Sequence, residues 1–273
     1  MNPLHSIKGT IIAGVVLSIV IALLIGGYQF QFLALDRWLH FLSGITWIGL
    51  LYYFNFVQVP ALGRAVADTG GPGGAGISKY VAPLALLWFR WAALVTWLSG
   101  AIYLWMRSPG GSDFIGALAL GLTGETLNFY QLVIGLGAWM GTIMLFNVWA
   151  LIWPNQKKLL GIVPATDDEK ARAKRTALLA SRTNTFFSFA MIWFMVSTSF
   201  VEELDFSTSD GILGYWIVVL VLWAVLEAFG TGMIGGTAPS TLRWWEETHL
   251  RTIAAGVVLW IVFLILWLLL LNP

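Results

Sequence analysis

Seven apolar stretches, each near the length that crosses a lipid bilayer, limit what this chain can fold into. A transmembrane helix needs about 20 mostly apolar residues. Stretches of this kind cover residues 10–28, 33–59, 84–106, 129–153, 183–200, 213–230 and 252–271. Only 11% of the residues are charged, against about 25% in a typical soluble domain. The sequence therefore predicts an all-α integral membrane protein, a bundle of about seven transmembrane helices that forms one polytopic domain over residues 1–273.

The large loop between the fourth and fifth stretches, about residues 154–182, predicts the orientation of the bundle. It carries seven of the 15 Lys and Arg residues, and short basic loops stay on the cytoplasmic side of a membrane. Alternation from this loop places twelve loop cations inside and only Arg107 outside. The N-terminus is then expected in the cytoplasm and the C-terminus in the periplasm.

Two shorter signals refine this organisation. Thr166 followed by Glu169 matches a capping box, which predicts a cytoplasmic helix that starts in the basic loop and continues towards the fifth stretch. Residues 114–122 are apolar but too short to cross, and we expect them in the outer interface or in a re-entrant segment. The first stretch is interpreted as a retained helix, because no signal-peptide cleavage site follows it.

Composition also excludes several kinds of chemistry. The chain contains no cysteine, which excludes disulfides, thiolate metal sites and cysteine nucleophiles. The net charge of +1 gives no reason to expect a nucleic-acid partner. The expected surroundings are a lipid bilayer.

His40 is the residue that points most directly to chemistry. It is the only histidine inside an apolar stretch, roughly 10 Å from the outer end of its helix at 1.5 Å per residue. Ionisable groups at such depth are costly and usually functional. A neutral imidazole suits haem iron, Gly44 one turn away leaves room for a flat macrocycle, and Arg37 on the same face can pair with a propionate. The alternative is a neutral histidine hydrogen-bonded to a neighbouring helix.

A second haem ligand is harder to find, because no other histidine lies at the depth of His40. Met195 in the fifth stretch has a matching depth, and Met106 is another candidate. Methionine more often fills irregular gaps in a core, so simple packing is the alternative for both residues.

A group of polar residues is expected at the cytoplasmic ends of the helices, where it can bind a flat, polar, anionic substrate. Its members are Asn55, Gln58, Arg90, Asn147, Asn155, Gln156, Arg182 and Asn184. The alternative is that polar residues simply belong at helix ends, where a long side chain such as Arg90 reaches the interface. Glu227, late in the sixth stretch, is a candidate proton relay, and an interfacial carboxylate is its alternative.

Three segments resemble the membrane domain of the bacterial membrane-bound urate oxidases. They are residues 37–49 (RWLHFLSGITWIG), residues 147–158 with NVW and then WPNQKK, and residues 181–185 (SRTNT), in the same order as in that family. WPNQKK is the most specific of them. The second stretch is also distantly similar to the histidine-bearing helix of membrane protoporphyrinogen oxidases, which bind haem b.

The resemblance implies a protein of the bacterial inner membrane that binds haem b through His40. It would oxidise a small cytoplasmic-side substrate, with urate as the first example, and pass electrons to a periplasmic cytochrome c. In the family a cytochrome c domain follows the membrane domain, whereas this chain has no cysteine for its haem motif and is expected to use a separate cytochrome. Further membrane histidines of the family are replaced by Ser197-Thr198-Ser199.

Two other functions stay open at this point. A non-catalytic subunit of a larger membrane complex would use the same bundle as a scaffold and would carry no cofactor. A small-solute transporter would use intramembrane Arg and Glu as a pathway, although the repeated halves of many transporters are not visible in this sequence.

Overall fold

The computed structural model describes residues 3–25, 32–123, 127–199 and 212–271, and within these ranges the chain is entirely helical, without a strand. This confirms the all-α prediction for the described residues. The α-helices are α1 (Ile7–Ile25), α2 (Phe32–Ala67), α3 (Ile77–Arg107), α4 (Ser112–Leu118), α5 (Phe129–Leu159), α6 (Asp167–Ser197), α7 (Ile212–Gly230) and α8 (His249–Leu270). Short 3₁₀ helices lie at Pro3–His5, Pro109–Gly111 and Thr241–Glu246.

Five of the described helices, α2, α3, α5, α7 and α8, are long and apolar enough to cross a membrane. The chain is therefore a multi-pass membrane protein whose apolar helices suit a lipid bilayer. The apolar part of α1, Ile7–Ile21, is shorter, and α6 begins with a charged half. The predicted ends of the first and fifth stretches, at residues 28 and 200, lie outside the described residues. A total of seven spans and the orientation of the termini stay predictions.

Helix α6 packs against α2, α5, α7 and α8, because its second half is apolar. Its start confirms the predicted capping box: the Glu169 amide donates to the Thr166 hydroxyl at 3.3 Å, and the Thr166 amide donates to the Glu169 carboxylate at 2.8 Å. Residues 182–188 are all buried against α2, α5, α7 and α8. The end of the bundle where α5 ends and α6 begins is called the basic end below.

Three helices contain a π-helical turn, and a proline explains each of them. The turns are Tyr53–Gln58 in α2, Ile77–Val81 at the start of α3 and Asn147–Ile152 in α5, and Pro60, Pro83 and Pro154 each follow two residues later. Proline lacks an amide hydrogen, and its ring collides with the carbonyl four residues before it. That carbonyl lies inside the π turn in every case, so the wider turn relieves the collision without ending the helix.

Helix α4, which contains most of the short apolar segment, packs directly on α5. A Cβ atom on Gly135 would overlap the carbonyl oxygen of Ala117, and a Cβ atom on Gly116 would overlap the side-chain amide of Gln131. Glycine at these two positions therefore brings the helices into backbone contact. Whether α4 lies in the outer interface or re-enters the membrane stays a prediction.

Candidate functional site

A cavity of about 740 Å³ lies between α2, α3, α4, α5 and α6. Its walls are mainly apolar, and its volume falls in the range of about 300–1,000 Å³ that is common for ligand pockets. His40, Arg37, Gly44 and Met195 all line it. The structure thus brings the proposed cofactor-binding residues of two different helices, α2 and α6, to one cavity.

The imidazole of His40 is held by one of its two nitrogens. Nδ1 lies 2.8 Å from the carbonyl oxygen of Thr96 in α3, so Nδ1 carries the hydrogen and donates it. The Ser99 hydroxyl is a weaker neighbour at 3.4 Å from the same nitrogen. No hydrogen bond to Nε2 is found among the described residues, and its lone pair is left for a ligand. Metal-binding histidines are commonly oriented in this way, through a carbonyl that accepts from the other nitrogen.

Gly100 in α3 leaves the space that the imidazole of His40 occupies. A Cβ atom there would lie 2.8 Å from Cε1 and 3.1 Å from Nδ1 of the imidazole, closer than packed carbon atoms come. A Cβ atom on Gly44, the glycine singled out from the sequence, would meet only Thr96 Cγ2 at 3.6 Å, an ordinary contact. Sequence reasoning missed Gly100 because its role arises from contact between two helices.

The two methionine candidates lie in different surroundings. Met195 lines the cavity beside two glycines of α5: a Cβ atom on Gly137 would lie 3.3 Å from its sulfur, and one on Gly141 would lie 4.0 Å from its Cε. Met106 is 51% exposed and does not line the cavity. The structure therefore places Met195, and not Met106, in the same space as His40.

Two arginines line the cavity, one of which the sequence had assigned only to an outer loop. The guanidinium of Arg107 stacks on Tyr130 at 3.8 Å from the ring centroid and forms a 2.5 Å ion pair with Asp113. Arg37 lies 5.5 Å and 5.7 Å from the ring centroids of Phe41 and Tyr103, and no ion pair to Arg37 occurs within the described ranges. Arg37 thus offers an unbalanced positive charge to an anionic group in the cavity.

Nearer the basic end, three predicted polar residues form one buried network. The Asn147 amide nitrogen is 2.9 Å from Asn184 Oδ1 and 3.1 Å from Glu227 Oε2. The Asn184 amide nitrogen in turn donates to the Met144 carbonyl at 2.9 Å. This network of Asn147, Asn184 and Glu227 joins α5, α6 and α7 and is called the amide–carboxyl network below.

Asn55 and Gln58 reach α6 from another helix. Asn55 donates to the Ser181 hydroxyl at 2.8 Å and to its own helix at the Leu51 carbonyl. Both residues lie in the π turn of α2, as Asn147 lies in that of α5, and π turns often occur at functional sites. Three buried acceptors in these two turns have no hydrogen-bond partner among the described residues: Asn55 Oδ1, Gln58 Oε1 and Asn147 Oδ1. Buried polar atoms normally have a partner, so water or a bound molecule with N–H or O–H groups fits here.

Other members of the predicted polar group are engaged elsewhere. Arg182 donates to the Glu246 carbonyl at 3.3 Å and to the Thr252 hydroxyl at 3.4 Å. Arg90 lies 3.7 Å from the ring centroid of Trp153. Asn155 donates to the Leu151 carbonyl of its own helix at 2.8 Å, and Gln156 is half-buried. Neither arginine contacts the amide–carboxyl network through a hydrogen bond in the described part of the chain.

Sequence reasoning did not identify the buried pair Glu246 and Arg243, which lies in a predicted loop. Both are 1% exposed, and Arg243 Nε lies 3.6 Å from the Glu246 carboxylate. Thr183 donates to the other carboxylate oxygen at 3.1 Å. Burial raises the pKa of Glu246 to about 8, although Thr183 and Arg243 both lower it. The count of cytoplasmic loop cations includes Arg243, and the fold shows that its guanidinium is buried beside the Glu246 carboxylate.

No group of three or more His, Cys, Asp or Glu side chains suitable for a metal ion occurs in the described residues. A metal held only by protein side chains therefore has no candidate centre there. A haem iron is different in this respect, because its macrocycle supplies four of the ligands and the protein needs to add only one or two.

Comparison with known proteins identifies part of the chain. The family model described as urate oxidase N-terminal matches residues 126–261, which include α5 to α7, most of α8, Met195 and the amide–carboxyl network. His40 lies outside the matched residues. No curated protein and no solved structure matches the chain. Over residues 126–261, the chain belongs to the urate oxidase N-terminal family, as the resemblance of its sequence motifs indicated.

Proposed function

We propose that this protein is a urate oxidase-like redox protein of the bacterial inner membrane. It binds haem b through His40, oxidises a small substrate on the cytoplasmic side, and delivers the electrons to a periplasmic cytochrome c. Urate is the first substrate to test. When bound, haem b supplies one-electron transfer. The observation that carries the proposal is the cavity in which His40, with Nδ1 fixed by the Thr96 carbonyl, faces the same space as Met195.

The residues around this cavity fit a haem. Nε2 of His40 would bind the haem iron, and the Met195 thioether lies in the same space. Arg37 supplies a positive charge for a propionate, and charge-assisted contacts of this kind are strong. The indole Nε1 of Trp47, a residue of the cavity wall, is buried without a partner among the described residues. A ligand with an oxygen acceptor would satisfy it.

The substrate site of the proposal lies at the two π turns near the basic end. Unpartnered oxygens of Asn55, Gln58 and Asn147 are acceptors, and a heterocycle rich in N–H groups, such as urate, presents the matching donors. The haem cavity reaches Tyr52, whose hydroxyl is 2.9 Å from that of Ser188. Asn55 is three residues further along α2, roughly 4.5 Å along the helix axis. The two sites are therefore close enough for electron transfer between them.

Absorption spectroscopy tests this proposal. A reduced-minus-oxidised spectrum of the gently solubilised full chain should show a b-type haem. His40→Ala should abolish it, whereas His5→Ala, the same change at an exposed histidine, should leave it intact. A wild type without haem, or an unchanged band in His40→Ala, would refute haem binding at this site. With haem present, urate-dependent reduction of a cytochrome c is the next measurement.

One observation favours a second function, that of a non-catalytic subunit in a larger membrane complex. None of the described side chains of α1 is buried, and most of its described Ile, Leu and Val side chains are exposed. Such a helix can contact lipid or another subunit. Stable co-purification with other membrane chains, together with a flat absorption spectrum, would support this function over the redox one.

A further inference from the structure

Two carboxyl groups, those of Glu227 and Glu246, lie near the basic end, and they contact side chains of α5 and α6, respectively. Glu227 in α7 accepts from Asn147, and its second oxygen, Oε1, is buried without a hydrogen-bond partner in the described chain. No Lys, Arg or His of the described residues forms an ion pair with it. Glu246 accepts from Thr183 through Oε1, and its Oε2 faces Arg243 at 3.6 Å.

Gly230 shows how close the two groups are. It is three residues after Glu227 on α7, so it lies on the same side of the helix, roughly 4.5 Å along the axis. A Cβ atom on Gly230 would lie 2.6 Å from the Thr183 hydroxyl and 3.3 Å from Glu246 Oε1. The absence of a side chain at this position lets the Glu246 carboxyl approach α7 directly, one helical turn from Glu227.

Helix α6 connects the two carboxyl groups from the other side. Thr183 donates to Glu246, and the next residue, Asn184, accepts from Asn147, which also donates to Glu227. The charged groups that influence Glu246 are Arg243 within its own 3₁₀ helix, Arg175 of α6 and the adjacent Glu247. In the described part of the chain, the Glu227 carboxyl accepts a hydrogen bond from the neutral Asn147 amide and has no charged partner.

We propose that Glu227 and Glu246 form a proton-transfer pair that moves protons between the basic end of the bundle and the buried amide–carboxyl network. The proton leaves a carboxyl oxygen of one residue and binds the carboxylate of the other, and the Thr183 hydroxyl, 3.1 Å from Glu246 Oε1, orients the Glu246 end of this transfer. Burial raises the pKa of Glu246 to about 8, so this residue both takes up and releases a proton near neutral pH. Oxidation of a substrate at the amide–carboxyl network would release protons that need a route away from the site. The proton transfer between the two carboxyl groups itself requires no cofactor.

Hydrogen–deuterium exchange, followed by infrared spectroscopy of the purified full chain in lipid, tests the pair. The carbonyl stretch of the protonated Glu227 carboxyl is assigned from its loss in Glu227→Gln. In Glu246→Gln, exchange of the Glu227 proton on transfer to D₂O should slow by about tenfold or more. Asp168→Asn is the control, because it removes a carboxylate at an exposed position of α6 that does not act on Glu246, and it should exchange as the wild type does.

Thr183→Val provides a second test should Glu246→Gln fail to fold, since it removes the hydroxyl and keeps the volume. It should also slow exchange at Glu227. Exchange at the wild-type rate in either folded variant would overturn the proposal, as would a wild type with no carboxyl band that Glu227→Gln removes. The measurement needs neither haem nor urate, so its failure and the failure of the redox function can be told apart.

Discussion

Replacing Gly100 with alanine should displace the imidazole of His40. The new Cβ atom would lie 2.8 Å from Cε1 of the ring, whereas non-bonded carbon atoms pack at about 3.5–4.0 Å. The ring must therefore move by roughly 0.7 Å or more. The hydrogen bond from Nδ1 to the Thr96 carbonyl, now 2.8 Å long, is the contact that such a movement stretches.

The size of the effect follows from two opposing contributions. Forcing an extra methyl group into a packed site costs about 1–3 kcal/mol, and alanine gains about 1 kcal/mol over glycine in a helix. Gly63→Ala in α2 shares the second contribution but not the first, since nothing lies within 4 Å of its Cβ position and Gly63 does not line the cavity. The two variants should differ by about 1–3 kcal/mol, which corresponds to a roughly 5- to 150-fold difference in haem affinity when the cost falls on the bound state.

Both variants can be compared by thermal unfolding in detergent and by the haem content of the purified chain. Gly100→Ala should unfold at a lower temperature than Gly63→Ala and should hold less haem at equal haem supply. Equal unfolding temperatures and equal haem content in the two variants would show that Gly100 does not support His40, and the described packing between α2 and α3 would be wrong.

Two further predictions concern stability. Because the pKa of Glu246 is raised from 4.5 to about 8, the folded state holds a proton that the unfolded chain has lost, and stability should fall as the pH rises from about 4.5 to 8. Thermal unfolding across this range should show a smaller fall in Glu246→Gln, and an equal fall would contradict the raised pKa. Asp113→Ala should cost about 1–3 kcal/mol, since it removes the acceptor of Arg107 and Gln131. Asp68→Ala, at an exposed position, should stay within about 0.5 kcal/mol in the same assay.

The sequence predicted the helices better than their contacts. Hydropathy located the five membrane-capable helices, and Thr166 with Glu169 located the start of α6, because these signals are contained in short segments of chain. The π turns before Pro60 and Pro154 also have a local signal in the sequence, the proline itself, which hydropathy does not detect.

The site was predicted only in part, for a physical reason. Depth within a helix was enough to associate His40 with Met195, since depth depends on position along the chain. Which side of a helix faces which neighbour depends on packing between helices. Gly100 and Glu246 therefore could not be found from the sequence, and Arg182 was grouped with amides that it does not contact.

In the helices that contain a π turn, the number of residues determines which way the side chains beyond the turn point. A π turn holds one more residue than the α-helical turn it replaces. Loss of a single residue at Phe56 would let α2 return to regular spacing and would rotate everything beyond it, including Gln58, by about 100°. His40, which precedes the turn, would keep its place. A one-residue deletion in this turn should therefore change the direction of the Gln58 side chain while the surroundings of His40 stay as they are.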